Sequence, residues 1–265
     1  MPELRTSAYY TYTLLLNASG WAWEFLRRNL LYRHAWALER KAERRALARP
    51  SGVRPRAPRD RASPWGLRFL EPPHLTGLEV VPFWRTDAIP APARAGIVAG
   101  AAPASELFDL FAEPGDKAVC LTPEGALAVI EIGRTTVRLR FTDPAELRDQ
   151  LPLEVRMAET PSDTRERDAA LRFVHRGTLA AAPAGRYVPG NVVRLMQQLQ
   201  ALDGRLAGAG PREIAEAVYG PEVVARDWSN PDGLLQRRTH YLIERGTALM
   251  SGAYRTLLKP LRTQA

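Results

Sequence analysis

The last quarter of the chain, residues 191–258, is patterned as a packet of short helices. Apolar residues recur on one side at Val192, Leu195, Met196, Leu199 and Leu202, the spacing of a helix with one buried face. Pro211 stands where a first helical residue belongs, because its missing N–H would be unpaired there anyway. Ile214, Ala215 and Val218 form the next inward stripe, and Gly220 ends it. Residues 221–228 read as a linking helix or turn. Asn230, followed by Pro231, is predicted to cap a last helix. On it Leu235 and Leu242 face inward with Leu234 and Tyr241 beside them. Gln236, Arg237, His240 and Glu244 face outward, and Arg238 straddles the edge.

That last helix has the composition of one that enters a DNA groove. A buried stripe holds it in place, and long polar side chains opposite the stripe reach base edges or phosphates. Residues 210–220 fit the first helix of a helix-turn-helix, with Ala215 small enough for a close neighbour.

Charge agrees with this reading. The chain carries a net +8, which suits a nucleic acid or another anionic partner. Residues 1–63 hold 13 Lys and Arg against 5 Asp and Glu, residues 64–189 hold 14 against 17, and residues 190–265 hold 10 against 7. Basic ends around a neutral middle fit a protein that meets a polyanion at its extremities.

The rest of the chain reads as three further stretches. Over 20–49 the periodicity predicts one helix, with Trp21, Phe25, Leu26, Leu30 and Leu31 inward and Ala35, Leu38 and Ala42 following. Prolines 50, 55, 58 and 64 then interrupt it and mark a basic linker. The middle is β-rich: 117–121, 126–132 and 135–141 form an antiparallel meander turning at 123–125 and 133–134, and 78–84 is a further candidate strand. Short helices are expected over 145–150 and 162–173, with a boundary over 180–190. The expectation is an α+β chain with an N-terminal helix, a small central antiparallel sheet and an all-α helix-turn-helix domain. Its segments are 1–63, 64–160 and 190–265.

Other chemistries find little support. The single cysteine, Cys120, excludes an internal disulfide and a cysteine-cluster metal site, and its apolar neighbours mark it as buried. His34, His74, His175 and His240 have no second ligand at metal spacing. No phosphate-binding glycine loop and no nucleophile elbow occurs. An enzyme, a cofactor and a metal are therefore not expected. No run of about 18 apolar residues is present and the N-terminus lacks signal-peptide features, so the expected compartment is the cytoplasm.

Four stretches resemble one bacterial family. They are Leu202-Asp203-Gly204-Arg205, Arg212-Glu213-Ile214-Ala215-Glu216-Ala217-Val218-Tyr219-Gly220, Arg245-Gly246-Thr247-Ala248-Leu249-Met250 and Gly252-Ala253-Tyr254-Arg255-Thr256-Leu257-Leu258. The family is that of activators of conjugative-element transfer and of type VI secretion genes, the FseA and RovC type. Gly20-Trp21-Ala22-Trp23-Glu24-Phe25-Leu26-Arg27-Arg28-Asn29 resembles the regulator-like segment preceding that domain, and residues 83–90 resemble the family's middle. The resemblance implies an α+β middle, a terminal DNA-binding domain and transcription activation.

The expected reading is a double-stranded-DNA-binding activator. Gln236, Arg237, Arg238 and His240 are the candidates for the base-reading helix, and Arg212, Arg245 and Arg255 for phosphates. Trp21, Trp23 and Phe25 are either a hydrophobic plug or an interface for RNA polymerase or a sister subunit. Homo-oligomerisation is expected, since one small helix-turn-helix offers limited contact. The competing readings are an antiactivator or adaptor that keeps the shape without reading DNA, and a replication or plasmid-maintenance initiator.

Overall fold

The computed structural model describes residues 6–47, 61–85, 93–97, 107–108, 110, 116–122, 125–132, 135–141, 143, 151–156 and 191–258. The fold is α+β. The chain divides into two compact units, one from Met1–Pro82 with Val188–Leu258, the other from Phe83–Tyr187 with Lys259–Ala265. The first and last segments of the sequence thus share one unit, although more than a hundred residues separate them.

The first unit is helical. A 3-10 segment, Ser7–Leu15, leads into α1 (Ala18–Leu26) and α2 (Leu30–Leu47). The single helix expected over 20–49 breaks at residues 27–29, because asparagines cap both pieces. Asn17 Oδ1 accepts the Gly20 N–H at the start of α1. Asn29 Oδ1 accepts the Leu31 and Tyr32 N–H groups at the start of α2.

The break turns the two pieces to different environments. In α1 every residue from Ser19 to Leu26 is buried, so it is a central helix rather than an amphipathic one. Trp21, Trp23 and Phe25 are 0% exposed. They are the plug, and the interface reading of these three residues is corrected: no partner reaches side chains enclosed on all sides. Leu30 and Leu31, expected inward, are 65% and 72% exposed, because the new helix sets Tyr32 inward in their place.

The C-terminal half of the unit contains α3 (Val192–Leu206), α4 (Pro211–Tyr219), α5 (Pro221–Asp227) and α6 (Leu234–Met250). A 3-10 turn, Ala253–Leu258, follows. α1 packs against this turn and against α6, and the Ser7–Leu15 segment packs on α3.

A buried ionic cluster joins the two halves. Arg28 sends Nε and Nη2 to the two carboxylate oxygens of Asp203 on α3, at 2.5 and 2.8 Å. Its Nη1 donates to Glu24 Oε2 at 2.6 Å and to the Glu24 carbonyl at 2.7 Å. Glu24 also accepts from Arg27 Nε, the Tyr12 hydroxyl and the Gly77 N–H, at 2.8, 2.8 and 2.7 Å. The Tyr10 hydroxyl donates to Asp203 at 2.9 Å. Burial pushes the Glu24 carboxyl upward, but the Arg28 and Arg27 guanidiniums and the Gly77 N–H outweigh it and hold it below the usual carboxylate range. Burial likewise disfavours charged Arg28, and Asp203 and Glu24 more than offset it.

The second unit holds a six-stranded sheet. Its strands are β1 (Ala93–Ile97), β2 (Leu107–Phe108), β3 (Asp116–Thr122), β4 (Gly125–Ile132), β5 (Thr135–Phe141) and β6 (Leu151–Arg156), in the order β2-β6-β1-β5-β4-β3. The expected meander is β3–β4–β5, antiparallel throughout. β1 extends it by pairing parallel to β5 and antiparallel to β6. Cross-strand pairs such as Val119 with Ala128 and Ala128 with Leu139 share one face.

Gly125 to Ile130 are buried without alternation, so both faces of β4 are covered there rather than one. The expected strand over 78–84 is absent. Glu79 turns back to accept the Thr76 N–H and hydroxyl, and Pro82 follows without an N–H to give to a ladder. The helices expected over 145–150 and 162–173 and the boundary over 180–190 lie outside the described residues.

Asp203→Ala strips the buried Arg28 of its bidentate partner. Denaturant unfolding is expected to show a loss of about 3–5 kcal/mol, the magnitude for orphaning one member of a buried pair. A loss within about 0.5 kcal/mol would instead be that of an exposed pair.

Candidate nucleic-acid interface

The C-terminal helices are held together by two small apolar clusters. Ala201 on α3, Ala209, Ile214 on α4 and Leu242 on α6 form one, with Val218, Tyr219 and Ile243 against it. Ala215, Val224 and Leu235 form the other, with Tyr219, Val223 and Trp228. Ala215 therefore does what a small residue at that position predicts: it lets α5 and α6 approach α4. Pro211 opens α4 and Gly220 closes it. The Glu213 carboxylate accepts the Gly210 N–H at 2.7 Å, which caps the helix start. Gly220 sits at φ +94°, a conformation that favours glycine and lets α5 begin at once.

α6 crosses α3 at very short range. A Cβ on Gly246 would lie 2.5 Å from the Gln198 carbonyl oxygen and 3.1 Å from Leu202 Cβ. On α3, Gln200 Nε2 donates to the Ala217 carbonyl of α4 at 2.8 Å, and the Ser7 hydroxyl donates to Gln200 Oε1 at 3.3 Å. The position of α6 thus depends on α3, and α3 depends on the N-terminal segment.

On α6 itself Leu235, Thr239, Leu242, Gly246 and Leu249 are buried, one stripe at helical spacing. The helix starts at Leu234, after Gly233 at φ +58°, with Asp232 Oδ1 accepting the Leu234 N–H at 2.9 Å. The start expected at Asn230-Pro231 is corrected, since those residues lie in the preceding turn. Pro231 supplies no N–H, and the Asp232 carboxylate caps the helix instead.

Arg237, Arg238, His240, Glu244 and Arg245 are exposed, with Arg237, His240 and Glu244 opposite the stripe and Arg238 and Arg245 beside it. Tyr241, 46% exposed, lies among them. Spacing alone makes it a flanking residue, and only the register of the helix reveals that it shares the outward surface.

Arg238 and Arg245 are two turns apart, about 10 Å along the axis. The charge of Arg238 is felt by half-buried Tyr219, whose hydroxyl is raised by burial and partly lowered by that guanidinium. Gln236, expected outward, is half-buried and donates to the Trp228 carbonyl at 2.8 Å, which fixes the α5–α6 turn. Arg212 is exposed and pairs with Glu216 at 3.3 Å one turn along α4, a weak solvated contact.

Arg255, expected at a phosphate, faces another partner. Its Nη2 donates to the Pro64 carbonyl, and its guanidinium lies 5.2 Å from the Tyr254 ring centroid. The Tyr254 hydroxyl donates to the Trp65 carbonyl at 2.8 Å, and burial raises it to about 12. Residues 254–255 thus fasten the chain after α6 to residues 64–65.

Residues 133–259 match the family model described as the DNA-binding domain of a type VI secretion system transcription factor, RovC. Residues 3–70 match that of the proteobacterial transcriptional regulator-like domain. The chain is thus similar to these two families over separate regions, one near each end. No curated protein matches the chain significantly.

The RovC-type region begins at β5 and ends just past the 3-10 turn, so it takes in strands of the sheet as well as all four C-terminal helices. The regulator-like region contains Arg28 and the RovC-type region contains Asp203, so the ionic cluster joins one matched region to the other. Among the described residues no helix is long and apolar enough to cross a membrane. No group of three metal-ligating side chains occurs among them.

Gly246→Ala separates steric from intrinsic effects. Alanine favours a helix by about 1 kcal/mol over glycine, whereas wedging a methyl against the α3 backbone costs about 1–3 kcal/mol. Chemical denaturation is expected to show a net loss, and a gain would mean that α3 yields at this crossing.

Proposed function

We propose that the chain is a transcription activator that docks α6 in the major groove at promoter sites. The observation that carries this reading is the outward surface of α6. It presents Arg237, Arg238, His240, Tyr241 and Arg245 to solvent from a helix whose buried stripe is locked into the core. Side chains that reach base edges need such a fixed platform. In this reading Arg237 and His240 meet base edges, while Arg238, Arg245 and Arg212 hold phosphates. Gln236 fixes the turn before the helix rather than reading DNA, and Arg255 fastens the N-terminal segment.

The match to a transcription-factor DNA-binding domain supports DNA as the partner. Action on DNA needs no catalytic group, so the function is binding rather than an enzymatic reaction, exercised in the cytoplasm where bacterial promoters lie. Activation requires contact with RNA polymerase, and repeated copies on repeated half-sites supply affinity that one small domain lacks. With Trp21, Trp23 and Phe25 enclosed, such contacts fall to other surfaces of the protein.

The test is to capture genomic fragments on the purified protein and sequence them, with Arg237→Ala/Arg238→Ala in parallel. Wild type is expected to recover a sharp motif upstream of a few operons, and the double variant to lose it. Loss of one base-reading side chain is expected to cost ~1–3 kcal/mol at a single position of the motif. Equal, diffuse recovery by both proteins would overturn the reading and favour an adaptor that does not read DNA.

A further inference from the structure

Tyr241 is the aromatic side chain that α6 turns toward solvent, 46% exposed. Its neighbours on the helix surface, at i−4, i−3, i+3 and i+4, are Arg237, Arg238, Glu244 and Arg245. Side chains at such positions stand about 5–6 Å apart between Cβ atoms. Three guanidiniums and one carboxylate therefore surround the ring.

These groups are not engaged with one another. Among the described residues, the side chains of Arg237, Arg238, Arg245 and Glu244 have no hydrogen bond or ion pair, and Arg238 reaches only the hydroxyl of Tyr219 with its charge. Other arginines of the unit are held: Arg28 by Asp203 and Glu24, Arg226 by Asp227, Arg255 by the Pro64 carbonyl. The tyrosines divide in the same way. Tyr10, Tyr12, Tyr32 and Tyr254 each donate the hydroxyl to a partner. Tyr241 has no hydrogen bond and no ring contact among the described residues.

The helix fixes the direction of this ring. Leu242, the next residue, is buried with Ala201 and Ile214. Gly246, one turn further, lies so close to α3 that a Cβ would come 2.5 Å from the Gln198 carbonyl oxygen. Rotation of α6 about its axis is therefore blocked. Around that axis Tyr241 falls between Arg237, which is opposite the buried stripe, and Arg238 and Arg245, which are beside it.

On a helix in a major groove, that boundary is where base edges give way to the sugar-phosphate backbone. Arg238 and Arg245 serve phosphates there, which leaves the ring to the base edges. Those edges carry hydrogen-bond donors, acceptors and one apolar group, the C5-methyl of thymine. A ring pressed on a donor or acceptor removes its water without replacing the hydrogen bond, which is unfavourable. The methyl is the group that the ring complements.

We propose that Tyr241 is a specificity-determining residue that selects thymine in the DNA site through its C5-methyl group. The inference rests on the reading of α6 as the groove-docking helix and names what that helix recognises. The guanidiniums around the ring bring the polyanion up to it, and the ring then favours one base.

The test uses the full chain and the motif duplex recovered by genomic capture, with each thymine replaced in turn by deoxyuridine, which lacks only the methyl. Wild type is expected to bind about 4-fold more weakly at one such replacement, the factor that burial of one methyl group supplies. Tyr241→Ala is expected to bind the thymine and uracil duplexes equally at that position. Its unchanged affinity for a duplex of arbitrary sequence shows that it folds. Tyr241→Phe keeps the ring and is expected to keep the discrimination.

A motif without thymine, or wild type indifferent to every replacement, would overturn the proposal. So would Tyr241→Ala that still distinguishes the two bases, which would assign the methyl to another side chain. Weakened binding by both Tyr241→Ala and Tyr241→Phe, with no thymine preference in wild type, would overturn it in favour of a hydroxyl contact to phosphate. In each of these cases Arg237→Ala/Arg238→Ala still loses the motif, and the reading of α6 stands. Wild type that recovers no motif, or a double variant that keeps it, would remove the α6 reading and the thymine contact with it.

Discussion

A single guanidinium organises the helical unit. Arg28 is enclosed, and its donors are divided between Glu24 on the preceding helix α1 and Asp203 on α3, 175 residues further along the chain. A buried charge tolerates this position only with both partners in place, so the two ends of the sequence must come together in one register. The surrounding groups enforce the same register. Tyr10 and Tyr12 each place a hydroxyl on one of the two carboxylates, and Gly77 gives its N–H to Glu24. A merely apolar contact between α1 and α3 would permit sliding, and this network does not.

The consequence for function lies in how α6 is held. Its inner stripe rests on α3 and α4, its C-terminal carbonyl is bonded by Asn29, and the turn beyond it is fastened by Tyr254 and Arg255 to residues 64–65. Three of those anchors involve the N-terminal regulator-like region. The N-terminal region is therefore linked to α6 through packed groups rather than through a tether. The ionic cluster ties the regulator-like region to α3 of the RovC-type region.

Local signals are legible in the sequence and long-range ones are not. Pro211 and Gly220 bound α4 as their backbone preferences require, and the β3–β4–β5 meander follows the alternation of β5 and the turn residues between the strands. β6 carries its own alternation, Leu151, Leu153 and Val155, but Pro152 argues against a strand, and its pairing with β1 and β2 is set far along the chain. The break between α1 and α2 rests on one asparagine inside a continuous helical pattern, so spacing alone turns Leu30 and Leu31 inward. The α6 start is ambiguous for a related reason: Asn230-Pro231 and Asp232-Gly233 are both plausible caps, and the side chain that reaches the first free N–H belongs to Asp232. At the candidate site, the exposed arginines follow from helical spacing. The inward turn of Gln236 and the capture of Arg255 by Pro64 depend on neighbours that spacing does not reveal. Nothing in the sequence pairs Arg28 with Asp203.

The central claim is that the N-terminal region and the RovC-type helices form one cooperative unit through Arg28. Native-state hydrogen exchange on wild type and Asp203→Asn measures it most directly, because elements of one unit open together. The inner amides of α1 and α6 are expected to share one opening free energy in wild type and to lose protection in parallel in the variant. Exchange of α1 at its own lower free energy, with α6 unaffected by the substitution, would contradict the account.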